Sequence, residues 1–322
     1  MERPAPQESS RDVPVASRAR NVFITGATGV VGRRVVPLLR AHGHVVTAVA
    51  RSTAADRALE SAGARAVRAD LLDRAALERV LRDQHVVINL ATHMPSSTVR
   101  MLLPGAWREN DRLRRDGSRT LAEAARACGV ERFVQESFAP AYPDCGARWI
   151  DEDVAIAPVR YNRTIADAEQ SARRFTEQGG TGVVLRFAAF YGPDAFQSLD
   201  LAKLVRKGFA PLPGSPEAYI SSVSHDDAAS AVVAALRAPA GAYNVSDDEP
   251  LRHRAFVDAI AAAMGAASPR LPAPWMTRLM GSVGEMLARS QRISNRKLKD
   301  ATKWSPRYAS VREGWPIVAR SL

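Results

Sequence analysis

Apolar residues along the chain fall into short runs that alternate with longer segments rich in alanine, leucine and arginine. Runs dominated by β-branched residues predict buried strands, and the amphipathic segments between them predict helices. We predict strands at 21–25, 44–50, 64–69, 85–91, 132–137 and 181–190. We predict helices, among others, at 29–42, 73–83 and 117–128. Strands and helices that alternate at this spacing are typical of a Rossmann-type, doubly wound parallel sheet with right-handed crossovers, so we expect an α/β fold.

The alternation becomes irregular beyond residue 195. A stretch rich in Pro and Gly at 208–216 predicts a loop, 225–238 predicts a helix, and 242–246 predicts a strand. From about residue 250 the pattern is mainly helical.

These patterns predict a Rossmann domain and a smaller, mainly helical C-terminal cap. The Rossmann domain is predicted at 20–195, with 223–246 rejoining it, and the cap is predicted at 196–222 and 247–322. Residues 1–19 are polar and contain prolines, so we predict a disordered tail there.

Composition excludes several classes of protein. The 322 residues are 46% hydrophobic, enough for a substantial core, yet no apolar stretch is long enough to cross a bilayer. The N-terminal residues lack the apolar segment of a secretory signal. Cys128 and Cys145 form neither a disulfide framework nor a zinc pattern, and the six histidines include no HExxH motif. We expect a cytoplasmic protein with no membrane association and no metal site.

The net charge of +11 comes from arginine, because only five of the 45 basic residues are lysines. Basic clusters occur at 108–119 and 289–299. Neither has the interleaved aromatic residues or the recognition motif of a nucleic-acid surface. We therefore predict no nucleic-acid partner, and we interpret the clusters as solvated faces or as part of a site for an anionic ligand.

The segment TGATGVVGRR, residues 25–34, follows the first predicted strand and opens the first predicted helix. Its three glycines are spaced as in a variant of the dinucleotide-binding fingerprint. In that fingerprint the glycines permit a tight turn, a close approach of the backbone to a pyrophosphate, and close packing of helix on strand. The helix N-terminus then faces the anion. We predict a dinucleotide site formed by Gly26, Thr28, Gly29, Val30, Val31, Gly32 and Arg33.

The end of the second predicted strand indicates which dinucleotide is bound. Asp or Glu at that position accepts the ribose hydroxyls of NAD, whereas this strand ends in Arg51 and Ser52. Arginine at Arg51 and Arg33 can hold a 2′-phosphate through charge-assisted hydrogen bonds. We predict NADP rather than NAD; the alternative is that Arg51 is merely exposed to solvent.

Further motifs resemble those of extended or atypical short-chain dehydrogenases/reductases, the NAD-dependent epimerase/dehydratase family. Besides TGATGVVG they are ADLLD (69–73), NLAT (89–92), FYGP (190–193), SVSHDDAASAVVAAL (222–236) and YNVSDDEP (243–250). The resemblance covers roughly residues 20 to 320. It implies that Asp70 and Leu71 lie near the adenine, and that Leu90, Ala91 and Thr92 lie near the nicotinamide ribose.

In that family a Ser/Thr–Tyr–Lys set carries out catalysis, and the lysine, one helical turn after the tyrosine, lowers the tyrosine pKa. The resemblance places Tyr161 at the tyrosine, at the start of a helix, with Glu169 where the family often has Glu. Ile165 stands at the lysine position and can carry no charge. Ser137 matches the first serine of the family pattern, but Phe138 stands at the second, which usually carries the catalytic hydroxyl.

Glu136 is unusual in a strand predicted to be buried. A buried carboxyl costs free energy and has a raised pKa unless it is paired. Two interpretations remain open, an alternative acid/base or an ion pair with one of the many arginines. Our candidate catalytic residues are therefore Tyr161, Ser137 and Glu136.

Residues predicted to face the substrate depart from the family in an apolar direction. Phe187 and Ala189 replace the Pro and Asn of its L-R-P-x-N-x-Y-G-P pattern, which argues against a nucleotide-sugar substrate. Phe138, Phe187 and Phe190 would instead line a more apolar pocket. His93 either donates to a substrate oxygen or is a partly exposed loop histidine.

An apolar stripe at near-helical spacing occurs in residues 274–290 of the predicted cap. Its members are Trp275, Leu279, Met280, Val283, Met286 and Leu287. The stripe is interpreted either as the core of the cap or as a soft apolar lid over a hydrophobic substrate.

The resemblance implies an NAD(P)-dependent oxidoreductase or epimerase/dehydratase-like enzyme, acting on a small organic carbonyl or alcohol without the usual lysine. The alternative is a non-catalytic NADP(H)-binding redox sensor or regulatory protein. By analogy with the family, a homodimer would form through helices at about 105–128 and 158–178.

Overall fold

The computed structural model describes residues 19–95, 97–101, 103–273 and 275–321. Residues 1–18, which make up nearly all of the predicted tail, lie outside the described residues. Among the residues described, no helix combines the length and the apolar character needed to cross a membrane.

Thirteen strands are found in the described part of the chain. They are β1 (Asn21–Thr25), β2 (Val45–Val49), β3 (Arg65–Val67), β4 (Val86–Asn89), β5 (Arg132–Phe138), β6 (Trp149–Ile150), β7 (Thr181–Phe187), β8 (Ala189–Tyr191), β9 (Tyr219–Ile220), β10 (Ser222–Ser224), β11 (Gly241–Val245), β12 (Leu251–Arg252) and β13 (Arg292–Ile293).

Fourteen α-helices are also found in the described part of the chain. They are α1 (Gly32–Ala41), α2 (Thr53–Ser61), α3 (Arg74–Leu81), α4 (Thr98–Met101), α5 (Arg108–Arg112), α6 (Ser118–Ala127), α7 (Ile165–Glu177), α8 (Phe196–Arg206), α9 (His225–Ala234), α10 (His253–Ala263), α11 (Met276–Leu279), α12 (Gly281–Ala288), α13 (Arg296–Thr302) and α14 (Val311–Arg320). Three 3₁₀ turns (Pro104–Trp107, Ala139–Ala141, Arg160–Asn162) and a π-helical turn (Leu113–Gly117) complete the set.

Seven parallel strands form the central sheet in the order β11-β7-β5-β4-β1-β2-β3. Side chains of neighbouring residues point to opposite faces of a strand. In β1, Val22 and Ile24 therefore pack beneath α1 and α9, while Phe23 packs beneath α3, α6 and α7. The predicted Rossmann-type α/β fold is confirmed, because both faces of a parallel sheet are covered by helices.

The strand predicted at 181–190 is divided in two, and the structure corrects the prediction there. The backbone N–H of Ala188 bonds to Val245 in β11, and the N–H of the next residue, Ala189, bonds to Ser221. The chain thus leaves the central sheet at Ala188 and continues as β8, which pairs with β10. The predicted helices 29–42 and 225–238 are also shorter, at Gly32–Ala41 and His225–Ala234.

The C-terminal region packs around a second hydrophobic cluster. Helices α8, α10 and α14 contribute to it, with Trp315 of α14 at its centre and Tyr191 of β8 at its border with the sheet. The strand predicted at 242–246 rejoins the central sheet as β11, paired with β7. The carboxyl ends of the central strands therefore lie at the border between the central sheet and this mainly helical region.

Candidate functional site

The loop between β1 and α1 is built for close backbone contacts. Gly26 has φ +69°, a conformation that favours glycine, and a Cβ there would lie 2.3 Å from the carbonyl oxygen of Leu90. A Cβ on Gly32 would lie 2.2 Å from the carbonyl oxygen of Gly26. Only glycine fits either position, as the fingerprint requires for the turn and for helix–strand packing.

The same loop leaves an exposed surface for an anion. Thr28 and Gly29 are exposed, and no side chain of the described residues caps the N-terminus of α1 at Val31. The first N–H groups of a helix lack intrahelical partners and favour negative charge. These residues fit a dinucleotide pyrophosphate, with Val30 half-buried beside them.

The other predicted cofactor residues follow the carboxyl ends of neighbouring strands. Arg51 lies just beyond β2 and is exposed, next to Ser52, whose hydroxyl caps α2 by accepting from the Ala55 N–H. Asp70 is exposed and accepts from the Leu72 N–H, while Leu71 and Leu90 are buried. Ala91 and Thr92 are half-buried after β4. The structure thus places all of them along one edge of the sheet.

A second charged cluster ties the start of α1 to the turn after β8. Asp194 accepts from Arg33 at 2.5 Å, from Arg34 at 2.6 Å and from the ring of His225 at 3.0 Å. Burial lowers the pKa of His225 to about 4, although Asp194 opposes this. Arg33, which was predicted to hold the 2′-phosphate, is therefore already paired with a carboxylate.

Tyr161 lies in the 3₁₀ turn Arg160–Asn162, so the expectation that it opens a helix is wrong; α7 begins at Ile165. Its ring packs on Trp107 with centroids 4.8 Å apart, and its hydroxyl donates to the sulfur of Met286 in α12 at 2.9 Å. Burial raises the pKa of Tyr161, and the positive charge of Arg114 acts in the opposite direction. The phenol is therefore protonated at neutral pH.

The side chain of Ile165 is fully buried at the first turn of α7. The lysine position of the family is thus occupied by a core residue that offers no charge to Tyr161.

Arg114 is a buried cation whose charge acts on Tyr161. Sequence reasoning did not single it out. It lies in the π-helical turn Leu113–Gly117 and pairs with Glu136, with its Nη2 3.0 Å and 3.4 Å from the two carboxylate oxygens. Both side chains are nearly inaccessible, at 7% and 11% exposed. Of the two interpretations of Glu136, the ion pair is the one seen in the structure.

Ser137 belongs to a different polar network. Its hydroxyl donates to Glu169 at 2.7 Å, and Glu169 accepts two further bonds of 2.8 Å from Arg186. Arg186 also donates to the hydroxyl of Tyr142, whose pKa burial raises to about 12. The structure does not join Ser137 to Tyr161 by a hydrogen bond, since each hydroxyl donates elsewhere among the described residues.

The predicted substrate residues are only partly brought together. Phe138 and Phe190 are half-buried, while Phe187 has no exposed surface and belongs to the main core, 5.2 Å from the Phe190 ring. His93 is exposed, and its backbone N–H donates to Asn110. Any direct contact with a substrate is therefore open to Phe138, Phe190 and His93 but not to the buried Phe187.

The apolar stripe of residues 274–290 is not one continuous face. Trp275 is 64% exposed and Leu279 is 74% exposed, whereas Met286 is buried. The interpretation of the whole stripe as core of the cap is wrong for these two residues. The reason is that the helix breaks at Gly281, which has φ +56°, so that α11 and α12 present separate faces.

A cavity of about 950 Å³ lies away from these residues, beside the edge strand β11. Its lining includes Trp149, Tyr243 and Asp247 and none of the predicted site residues. In the part of the chain that the structure describes, no group of His, Cys, Asp or Glu is arranged to hold a metal ion.

Comparison with known proteins gives consistent matches. A model of the NAD dependent epimerase/dehydratase family matches residues 22–246. A 3-diazoavenalumate denitrifying reductase of a Streptomyces species is 35% identical over 308 residues, covering 91% of this chain and 98% of that protein. The ceramide reductase of Caulobacter vibrioides is 27% identical over 235 residues, covering 72% and 67%.

Among solved structures, that of a human epimerase family protein with NADPH superimposes with a TM-score of 0.77. It is 20% identical and covers 94% of this chain and 100% of its own. At that identity the likeness shows the fold alone.

Proposed function

The chain belongs to the NAD-dependent epimerase/dehydratase family, and from this premise we propose that it is an NADPH-dependent reductase of a small organic substrate. The observation that carries the proposal is the buried hydroxyl of Tyr161, whose hydrogen bond among the described residues goes to the sulfur of Met286, a weak acceptor that a substrate oxygen can replace. Reduction of a carbonyl needs a proton donor, whereas oxidation, epimerisation and dehydration begin with removal of a proton by a base. Burial raises the pKa of Tyr161, so the resting phenol holds a proton, and its transfer to a substrate oxygen needs a nearby cation to stabilise the phenolate.

The cofactor is the second part of the proposal. A nicotinamide dinucleotide would be held by the glycine loop and the uncapped N-terminus of α1, with the adenosine side near Asp70 and Leu71. Arg51 is exposed and could donate to the 2′-phosphate, which favours NADPH over NADH. When bound, the nicotinamide supplies a hydride.

In a carbonyl reduction, Tyr161 would donate its proton to the substrate oxygen while hydride forms the new C–H bond. The C=O π pair becomes an O–H bond, and the proton lost from the phenol is regained from solvent. Phe138 and Phe190 lie at the same end of the sheet and favour an apolar substrate. Relatives named as reductases support this direction of reaction.

A diazo compound is the second candidate substrate, because the relative at 35% identity is named for a diazo substrate and its denitrification. In the corresponding reaction of an aryl diazonium ion, hydride forms the C–H bond, the C–N bond breaks, and its electron pair leaves with N₂, so that the cation becomes a neutral arene. That reaction requires no proton donor. The absence of the family lysine would then not slow the reaction.

A substrate panel distinguishes these candidates. Purified protein is mixed with NADPH and with ketones, aldehydes, enones or aryl diazonium ions, and the loss of nicotinamide absorbance is followed for the wild type and for Tyr161→Phe. We expect turnover of an apolar carbonyl that falls about 100-fold or more in Tyr161→Phe. Turnover of the diazo compound alone, unchanged in Tyr161→Phe, would establish the second candidate instead.

Binding of NADPH without turnover of any substrate class would contradict the reductase proposal and favour a redox sensor or regulatory protein. Cofactor affinity, measured by calorimetry on both proteins, separates loss of chemistry from loss of binding. Sedimentation of the same samples tests the proposed homodimer, whose helices would be α5, α6 and α7.

A further inference from the structure

We propose that Arg114 replaces the family lysine as the positioning cation of the active site, held by Glu136 so that it stabilises the phenolate left when Tyr161 gives up its proton. The inference rests on the proposed reductase function. It assigns a role to an arginine that no sequence motif indicated.

The helical segment that carries Arg114 runs along the segment that carries Tyr161. Trp107, at its start, stacks on the Tyr161 ring, and Thr164 donates to the carboxylate of Asp111 at 2.8 Å. Asp111 lies three residues before Arg114 and so on the same side of the helix. The Asp111–Thr164 bond therefore holds the helical segment of Arg114 against the segment of Tyr161.

The hydrogen bonds of Arg114 leave it incompletely satisfied. Only its Nη2 contacts Glu136, and its buried Nε has no partner among the described residues. The buried pair between Arg186 of β7 and Glu169 of α7 differs, since Arg186 uses both Nε and Nη2 on Glu169. The Nε–H of Arg114 is therefore a donor that a group other than Glu136 can use.

The π-helical turn supports a functional rather than a merely structural role. One extra residue in a helical turn displaces the side chains that follow, and such turns occur frequently at functional sites. Buried ion pairs contribute little net stability, so stability alone does not account for the Arg114–Glu136 pair.

The anion formed when Tyr161 gives up its proton needs a nearby positive charge. A tyrosine that donates a proton becomes an anion in a site where burial disfavours charge. In this chain the position one turn after Tyr161 is the buried Ile165, and the charge that acts favourably on Tyr161 is that of Arg114. A cation approaching from the other side of the tyrosine meets the same need.

Other ionisable groups on the elements packed against Tyr161 are already engaged. Asp111 accepts from Thr164, Glu136 pairs with Arg114, and in α12 Glu285 pairs with Arg289. Arg289 also donates to the carbonyl oxygens of Tyr142 and Ala157.

The test measures the ionisation of Tyr161 directly. The full-length protein is produced with 3,5-difluorotyrosine, whose phenol ionises well below the ordinary tyrosine pKa, and the fluorine resonance of position 161 is assigned with Tyr161→Phe. Its titration is compared in wild type, Arg114→Gln, Arg114→Lys, Glu136→Gln and Arg115→Gln. Arg115 is the matched control, because it lies in the same turn, is exposed and pairs with Asp116.

We expect Arg114→Gln to shift this titration to higher pH, Arg114→Lys to restore most of the shift, and Glu136→Gln to move it to lower pH. In the same proteins, kcat/KM for the carbonyl substrate should fall about 100-fold in Arg114→Gln, with added guanidinium restoring part of the rate. Arg115→Gln should change neither quantity.

An unchanged titration in folded Arg114→Gln, or an equal shift in Arg115→Gln, would overturn the inference. If Arg114→Gln does not fold, Arg114→Lys and Glu136→Gln decide in its place, and absence of the expected shift in both is equally adverse. Because the titration needs no turnover, a shift without activity would sink the reductase proposal while sparing the role of Arg114.

Discussion

At the scale of single residues, two glycines determine whether the nucleotide loop can close. A methyl group on Gly32 would lie 2.2 Å from the carbonyl oxygen of Gly26 and 2.6 Å from the Cα of Ala27, and both obstacles are backbone atoms that cannot rotate away. The packing of α1 on β1 therefore depends on the absence of this one side chain.

We predict that Gly32→Ala lowers the free energy of unfolding by about 1–3 kcal/mol, because the overpacked helix must shift, and that it abolishes measurable NADPH binding. Urea denaturation and calorimetry measure the two effects. Gly105→Ala is the matched control, since a Cβ there meets no atom within 4 Å and its stability should be unchanged. Equal behaviour of the two variants would disprove the packing argument.

Arg51 is the residue on which cofactor choice depends. A charge-assisted hydrogen bond contributes about 1.5–3 kcal/mol, so Arg51→Ala should weaken NADPH binding about 10- to 100-fold and leave NADH binding unchanged. Calorimetry with both cofactors measures this. Arg57→Ala, an exposed arginine of α2, serves as control. An equal loss for NADH would show that Arg51 does not contact the 2′-phosphate.

At the scale of elements, two consecutive polar side chains of β5 belong to two different buried ion-pair networks. Glu136 contacts Arg114 of the π-helical turn, whereas Ser137 contacts Glu169 of α7, which pairs with Arg186 of β7. The second network fixes α7 to the sheet, and the first fixes the π-helical turn to β5. The two ion pairs should therefore respond differently to mutation.

Glu169→Gln should lower the free energy of unfolding by about 3–5 kcal/mol, because Arg186 would be left as an uncompensated buried charge. Equilibrium urea denaturation checks this. The double variant Glu169→Gln/Arg186→Met should recover most of the loss, since it removes both charges. A double variant as unstable as the single one would contradict the ion-pair explanation.

Helix α12 brings Met286 to the hydroxyl of Tyr161, so in the proposed reductase a substrate oxygen must replace this sulfur contact. Met286→Leu keeps the volume and removes the sulfur acceptor; it should change stability by less than about 1.5 kcal/mol and lower KM for the substrate, with NADPH affinity unchanged. Steady-state kinetics measure the effect. Met276→Leu in the exposed α11 is the control, and an equal change in KM there would show that the sulfur contact is irrelevant.

Elements with strong local patterns could be predicted from the sequence, and those set by distant partners could not. Strand β1 and the glycine loop follow from apolar periodicity and turn chemistry, and both lie where predicted. The break at Ala188 depends on hydrogen bonds to Val245 and Ser221, which no local pattern encodes. Arg114 was hidden in a basic segment typical of a solvated face, because only its burial against Glu136 distinguishes it from Arg115.

At the scale of the whole molecule, buried histidines occur on both sides of the site. His225 begins α9 against the central sheet and His253 begins α10 in the C-terminal region, and both are almost fully buried. Burial lowers the pKa of each histidine to about 4. The native state therefore keeps both imidazoles neutral at pH values where the unfolded chain protonates them.

This difference makes stability fall as the pH falls from about 6.5 to about 4, because in that window the unfolded state binds more protons. Each histidine should contribute about 3 kcal/mol to the loss. The buried Asp247 acts oppositely, since burial raises its pKa and its folded form binds the proton more readily. This contribution is the same in wild type and in a histidine variant.

Urea denaturation across this pH range should therefore show a shallower pH dependence of stability for His253→Gln than for wild type. His42→Gln, at an exposed position, should leave the slope unchanged. A slope that His253→Gln does not alter would show that folding does not lower the pKa of His253 and that the acid sensitivity comes from other groups.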